Sequence, residues 1–115
     1  MERQRRPCDI GILAARESIA ELLEAFIQSA GWTAFRIPRV GHDGVVSSCL
    51  TECRLILYDL DLPDTVLGAV HATGRPILYF SGSRPRPEVV IPEGAVFFEL
   101  PPDWAALDRL IRSRL

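Results

Sequence analysis

Residues 55–64 read LILYDLDLPD, an unbroken apolar run that ends in carboxylates and then a proline. A strand with one wet face alternates apolar and polar side chains. A run without alternation belongs to a strand covered on both faces, the usual state of a strand in a parallel sheet. The stretch therefore predicts a buried strand over residues 54–59 that emerges at Asp59. In parallel α/β sheets, ligands and reactive groups gather at the carboxyl ends of the strands, which makes Asp59 the first residue to ask about.

Working outward, the same kind of segment recurs on both sides. Residues 8–15 (CDIGILAA) form a strand-length apolar run. Residues 17–30 (ESIAELLEAFIQSA) place Ile19, Leu22, Leu23, Phe26 and Ile27 at helical spacing, with Gly31 as a natural stop. WTAFRIP at 32–38 reads as a second strand. After the turn GHDG, Val45, Val46, Cys49, Leu50 and Cys53 line one face of a helix. Beyond the central run, residues 65–73 form a short helix closing at Gly74, PILYFS at 76–81 a fourth strand and AVFFE at 95–99 a fifth. The last helix starts near Asp103, a good N-cap, with Trp104, Leu107, Leu110 and Ile111 on one side.

Strands alternating with helices imply βαβ units and a parallel sheet with helices on both faces. Five such strands suit the flavodoxin-like doubly wound order 2-1-3-4-5. One connection departs from the pattern. Prolines at 85, 87 and 92 forbid a regular helix between strands four and five, so the fourth helix is expected to be missing or reduced to a turn within an extended 82–94 loop.

The composition bounds the functional classes. A chain of 115 residues is one domain, expected over 1–115 with residues 1–7 as a disordered tail, and large enough to bury roughly 65% of its unfolded surface. Net charge is −2, and no run approaches the ~18 apolar residues of a membrane span, so a cytoplasmic protein without membrane association is expected. All thirteen basic residues are Arg. The absence of Lys excludes Schiff-base chemistry and any phosphate-binding lysine. Three cysteines without a secretory signal argue against a disulfide framework.

The ordered motifs resemble those of the receiver domain of bacterial response regulators, across nearly the whole chain. Asp59-Leu60-Asp61-Leu62-Pro63 matches the receiver's phospho-accepting aspartate followed two residues later by an apolar-proline pair. Ser81-Gly82 matches the hydroxyl and small residue that end strand four. Phe97 (Phe98 if the alignment shifts by one) takes the aromatic switch position, and Pro101 the cis-proline position.

Three positions depart from that family. Receivers end strand one on an acidic pair that holds Mg²⁺, where this chain has Ala14 and Ala15; they end strand five on lysine, where it has Leu100. Phosphoryl transfer to a carboxylate depends on positioning and on neutralising anionic oxygens. Each lost contact typically costs ~3 kcal/mol in the transition state, so losing three is expected to abolish useful phosphorylation. The resemblance thus implies a degenerate receiver, or pseudo-receiver, in a phosphorelay-type pathway. Asp59 is then a vestigial acceptor, no cofactor is bound, and the output is contact with a protein partner or a second copy.

The alternative is a divergent receiver still phosphorylated at Asp59, with a Mg²⁺ site rebuilt from Asp61 or Glu17. A third reading, a small α/β enzyme with Asp59 as base or nucleophile, has no activating histidine or metal beside it. Cys49 and Cys53 are read as packed thiols, and His71 as a surface histidine. Nucleic-acid binding is not expected, because arginines 3, 5, 6, 109, 112 and 114 fall at a chain terminus and a last helical turn. Val89, Val90 and Ile91, left without a helix to carry them, either cover the flank of strands four and five or form an interface there.

Overall fold

The computed structural model describes residues 8–36, 52–62, 64–81, 95–100 and 103–114. The expected tail 1–7, most of the expected helix near 45–53, the loop 82–94 with Val89, Val90 and Ile91, and Pro101 lie outside them.

In chain order the described elements are β1 (Cys8–Leu13), α1 (Glu17–Ser29), β2 (Ala34–Arg36), β3 (Cys53–Asp59), α2 (Asp64–Ala72), β4 (Ile77–Ser81), β5 (Val96–Glu99) and α3 (Trp104–Arg114). The strands form one parallel sheet in the order β2-β1-β3-β4-β5, as the alternation of runs predicts. Burial explains why β3 reads as it does: Leu55, Ile56, Leu57, Tyr58 and Asp59 are each at most 1% exposed, because both faces of the strand are covered.

Strand alternation sorts the core into two layers. Leu55 and Leu57 join Ile10, Ile12, Leu78 and Phe80 beneath α1 (Ala20, Leu23, Ile27) and α3 (Leu107, Ile111). Ile56 and Tyr58 join Leu13 and Tyr79 beneath α2, which contributes Val66, Leu67 and Val70. Each such side chain stabilises the fold by about 1.5–3 kcal/mol through loss of water contact.

Cys53 corrects one expectation. It opens β3 and lies in register with Cys8 of β1, so it is not on a helical face with Cys49; it is buried in the α2-side layer. The second strand also starts later than its apolar run. Thr33 is held outside it by an exchange with Asp9, its N–H donating to Asp9 Oδ2 at 3.0 Å while its hydroxyl accepts from the Asp9 N–H at 2.9 Å.

The helix ends follow local chemistry. Gly31, at φ +94°, closes α1 in a Schellman arrangement: the Trp32 N–H donates to the Ile27 carbonyl and the Gly31 N–H to that of Gln28, both at 3.1 Å. At the start of α3, Asp103 Oδ1 accepts from the N–H groups of Ala105 (3.1 Å) and Ala106 (3.3 Å), satisfying two donors the helix cannot use itself. Asp103→Ala is expected to lower stability by about 1 kcal/mol, read as a shift in the urea midpoint at unchanged slope.

Candidate functional site

Parallel pairing brings the carboxyl ends of β1, β3, β4 and β5 to one edge. There Asp59 lies opposite Phe80, and Ser81 opposite Glu99. Asp59 is wholly buried, the only buried charged residue among those described.

Its carboxylate is held by backbone. Oδ2 accepts the N–H of Ala15 at 2.8 Å, and Oδ1 accepts the N–H of Asp61 at 2.9 Å. The Asp59 carbonyl takes the Leu62 N–H at 3.1 Å, which tightens the turn leaving β3. Burial raises the Asp59 pKa, and the nearby Asp61 charge adds to the rise. The Ala15 and Asp61 amides and the Arg16 charge oppose it without cancelling it.

The other positions singled out from the sequence fall around this carboxylate in different ways. Ser81 does not reach Asp59; its hydroxyl donates to Asp61 Oδ1 at 3.2 Å. Glu17 meets Arg36 of β2, at 3.8 Å. Ala14 and Leu100, at the positions of the missing acid and the missing lysine, pack against the core layer beneath α1 and α3. Phe97 points to the opposite face, 46% exposed, with its ring 5.5 Å from that of Tyr79. The Tyr79 hydroxyl and His71 Nε2 share a 3.0 Å hydrogen bond, so His71 is more than a bare surface residue; burial pushes the Tyr79 phenol up.

Two participants were missed. Ala15 acts through its amide, and a backbone group leaves no trace in residue identity. Arg16, in the short link between β1 and α1, brings its charge toward Asp59.

Asp59 is enclosed in this structure. Mg²⁺ keeps several waters and takes oxygen ligands in near-octahedral geometry. Asp59 presents no surface even to a water-sized sphere, and its two oxygens are already bonded to amides. No cluster of three acidic, His or Cys side chains occurs among the described residues. The geometry ties loops together at the head of the sheet.

No protein-family model matches the sequence, and no curated protein does. Solved structures do match. A response regulator receiver domain protein from Bacillus halodurans C-125 superposes with a TM-score of 0.72 at 18% identity, over 95% of this chain and 97% of that one. A CheY-like receiver domain from Methylobacillus flagellatus gives 0.68 at 18% identity, over 94% and 99%. A chemotaxis protein from Vibrio cholerae, CheY4, gives 0.60 at 16% identity, over 94% and 98%. At these identities the likeness is one of fold: a five-stranded CheY-like sheet with three helices among the described residues. None of the helices described is long and apolar enough to cross a membrane.

Proposed function

We propose that this chain is a receiver-like signalling domain of a two-component type pathway that works through protein–protein contact and is not phosphorylated at Asp59. The reading makes it a cytoplasmic regulatory module without enzymatic activity or bound cofactor. One observation carries it. The carboxylate at the acceptor position is sealed from solvent and bonded through both oxygens to loop amides. The packing of Ala14 and Leu100 supports the same view, since side chains in the places of the acid and the lysine serve the core. The contact face would include the exposed Phe97, its ring against that of Tyr79, on the edge strand β5.

Incubating the protein with Mg²⁺ and a small-molecule phosphodonor is expected to give no phosphoryl mass gain, and no change in fluorescence from Trp32 or Trp104. Three missing electrostatic contacts, each worth roughly 10²–10³ in rate, put the reaction below detection. A stable adduct that disappears in Asp59→Ala would overturn the reading and establish a divergent, phosphorylated receiver in its place.

A further inference from the structure

β5 ends the sheet on one side, with β4 as its neighbour and no strand beyond it among the described residues. Backbone bonds fix which of its groups face outward. The Ile56 N–H donates to the Pro76 carbonyl at 3.0 Å and the Leu60 N–H to that of Phe80 at 2.8 Å, so the even-numbered residues of β4 turn their backbone groups to β3. Tyr79 and Ser81 are left to bond β5. In a parallel pair the slanted bonds of a residue run to the two residues flanking its register partner, and the partners here are Leu78 with Val96 and Phe80 with Phe98. Val96 and Phe98 therefore aim their backbone groups inward, while those of Ala95, Phe97 and Glu99 aim outward. The Phe97 N–H and carbonyl meet no hydrogen-bond partner among the described residues.

The side chains do nothing to discourage pairing there. Proteins blunt a sheet edge with lysine, proline, bulges or a very short strand. From Ala95 to Glu99 the sequence is AVFFE, with neither lysine nor proline, and its central residue, Phe97, is the exposed one. Val96 and Phe98 lie on the opposite face, packed against the layer beneath α1 and α3. The other edge strand, β2, is only three residues long, and its Arg36 is bound to Glu17 and Glu24 of α1.

We propose that β5 pairs antiparallel with β5 of a second copy of this chain, about a two-fold axis perpendicular to the sheet at Phe97, joining the two sheets into one. The inference deepens the reading of β5 as a contact edge, on which it rests, by naming the partner. Residues opposite one another in a sheet share a face, so the axis must pass through a residue, and at Phe97 it pairs the most outward groups. Phe97 lies opposite Phe97 of the second copy, and Ala95 opposite its Glu99, twice. Each such pair exchanges both of its bonds, about six in all. Between them Val96 lies opposite Phe98 of the second copy on the α1–α3 side, and the two Phe97 rings are neighbours on the α2 side, so apolar pairs form on both faces. The two Glu99 residues stand about 14 Å apart along the strands, so no like charges meet. An edge that matches itself in this way is what an isologous dimer requires. The seam is about 17 Å long, which makes the dimer weak and concentration-dependent.

Sedimentation over a concentration series, with residue-resolved amide exchange at its dilute and concentrated ends, tests it. The mass is expected to rise from 12.8 kDa toward twice that value. The amides of Phe97 and Glu99 are expected to exchange about tenfold more slowly in concentrated solution, while those of Val96 and Phe98, already bonded to β4, change little. Phe97→Pro removes the central donor, and a proline whose nitrogen faces out from an edge strand leaves the β4 ladder whole. Phe97→Lys sets like charges on residues whose Cα atoms are about 5.5 Å apart in the dimer. Both variants are expected to stay monomeric at every concentration, and Phe97→Tyr to dimerise as the wild type does; circular dichroism verifies that each is folded. A wild type that stays monomeric throughout overturns the proposal, as does a dimer that survives Phe97→Pro. So does a dimer whose Phe97 and Glu99 amides exchange alike at both concentrations. None of these readouts involves Asp59, so the phosphodonor experiment stands or fails separately.

Discussion

Phe80→Ala is expected to lower the unfolding free energy by about 3–5 kcal/mol, the range for removing a fully buried phenylalanine and leaving its volume empty. Phe80 is fully buried in β4, in register with Asp59 on one side and Phe98 on the other, and its ring stacks on that of Phe98 at 5.1 Å. It belongs to the layer that α1 and α3 cover, so the lost contacts come from strands and helices together. Domains of this size are stable by 5–15 kcal/mol at the order-of-magnitude level, and such a loss takes a large share of that. Phe97, next to Phe98 in β5 and opposite Tyr79, provides the control. Nearly half exposed and touching mainly Tyr79, it should cost about 1 kcal/mol on replacement by alanine. Urea unfolding followed by circular dichroism measures both, and equal losses would contradict the assignment of the two rings to opposite faces of β5 and its neighbour.

The second large effect is a dependence of stability on pH that runs opposite to the usual behaviour of a paired carboxylate. Burial raises the pKa of Asp59 above its ordinary value of 3.8, so the folded chain holds this proton more tightly than the unfolded chain does. Its contribution to stability is fully present below the unfolded value and is lost as pH rises through the folded one. Within that window each pH unit removes up to about 1.4 kcal/mol. Asp59→Asn cannot ionise. The wild type should therefore lose ground to Asp59→Asn as pH climbs from about 3.8 toward neutrality, with the difference constant above and below the window. Paired unfolding curves at several pH values give the difference directly. A wild type that gains on the variant as pH rises would mean that the Ala15 and Asp61 amides and the Arg16 charge outweigh burial.

Much of the architecture was legible because it depends on side chains. The continuous run at 54–59 announced two covered faces, Gly31 announced the end of α1, and Asp103 announced the start of α3; each appears in the structure for the expected physical reason. The second strand was begun too early because its apolar letters start at Trp32, whereas Thr33 is engaged by side-chain exchange with Asp9 of β1, and pairing starts at Ala34. Cys53 was misplaced because helical spacing within 45–53 masked the start of a strand.

Around Asp59 the boundary between what could and could not be read is the boundary between side chain and backbone. The position of the carboxylate followed from the end of the apolar run. Its partners did not, because one is the amide of an alanine 44 residues away and the other its own loop. Ser81 ends β4, and its hydroxyl bonds the neighbouring Asp61, a choice of partner that residue identity does not reveal.

The register of β1 against β3 bears on synthesis as well as on the finished fold. Leu13 has Tyr58 as its lateral neighbour, and Cys8 has Cys53. A ribosome adding about 5–20 residues per second leaves the first strand without that neighbour for several seconds. During that interval the nascent chain carries Ile10, Ile12 and Leu13, all destined for near-complete burial, with only α1 and β2 to shield them. Translation speed and chaperone supply, more than the final free energy, would then govern how much of this protein a cell recovers in native form.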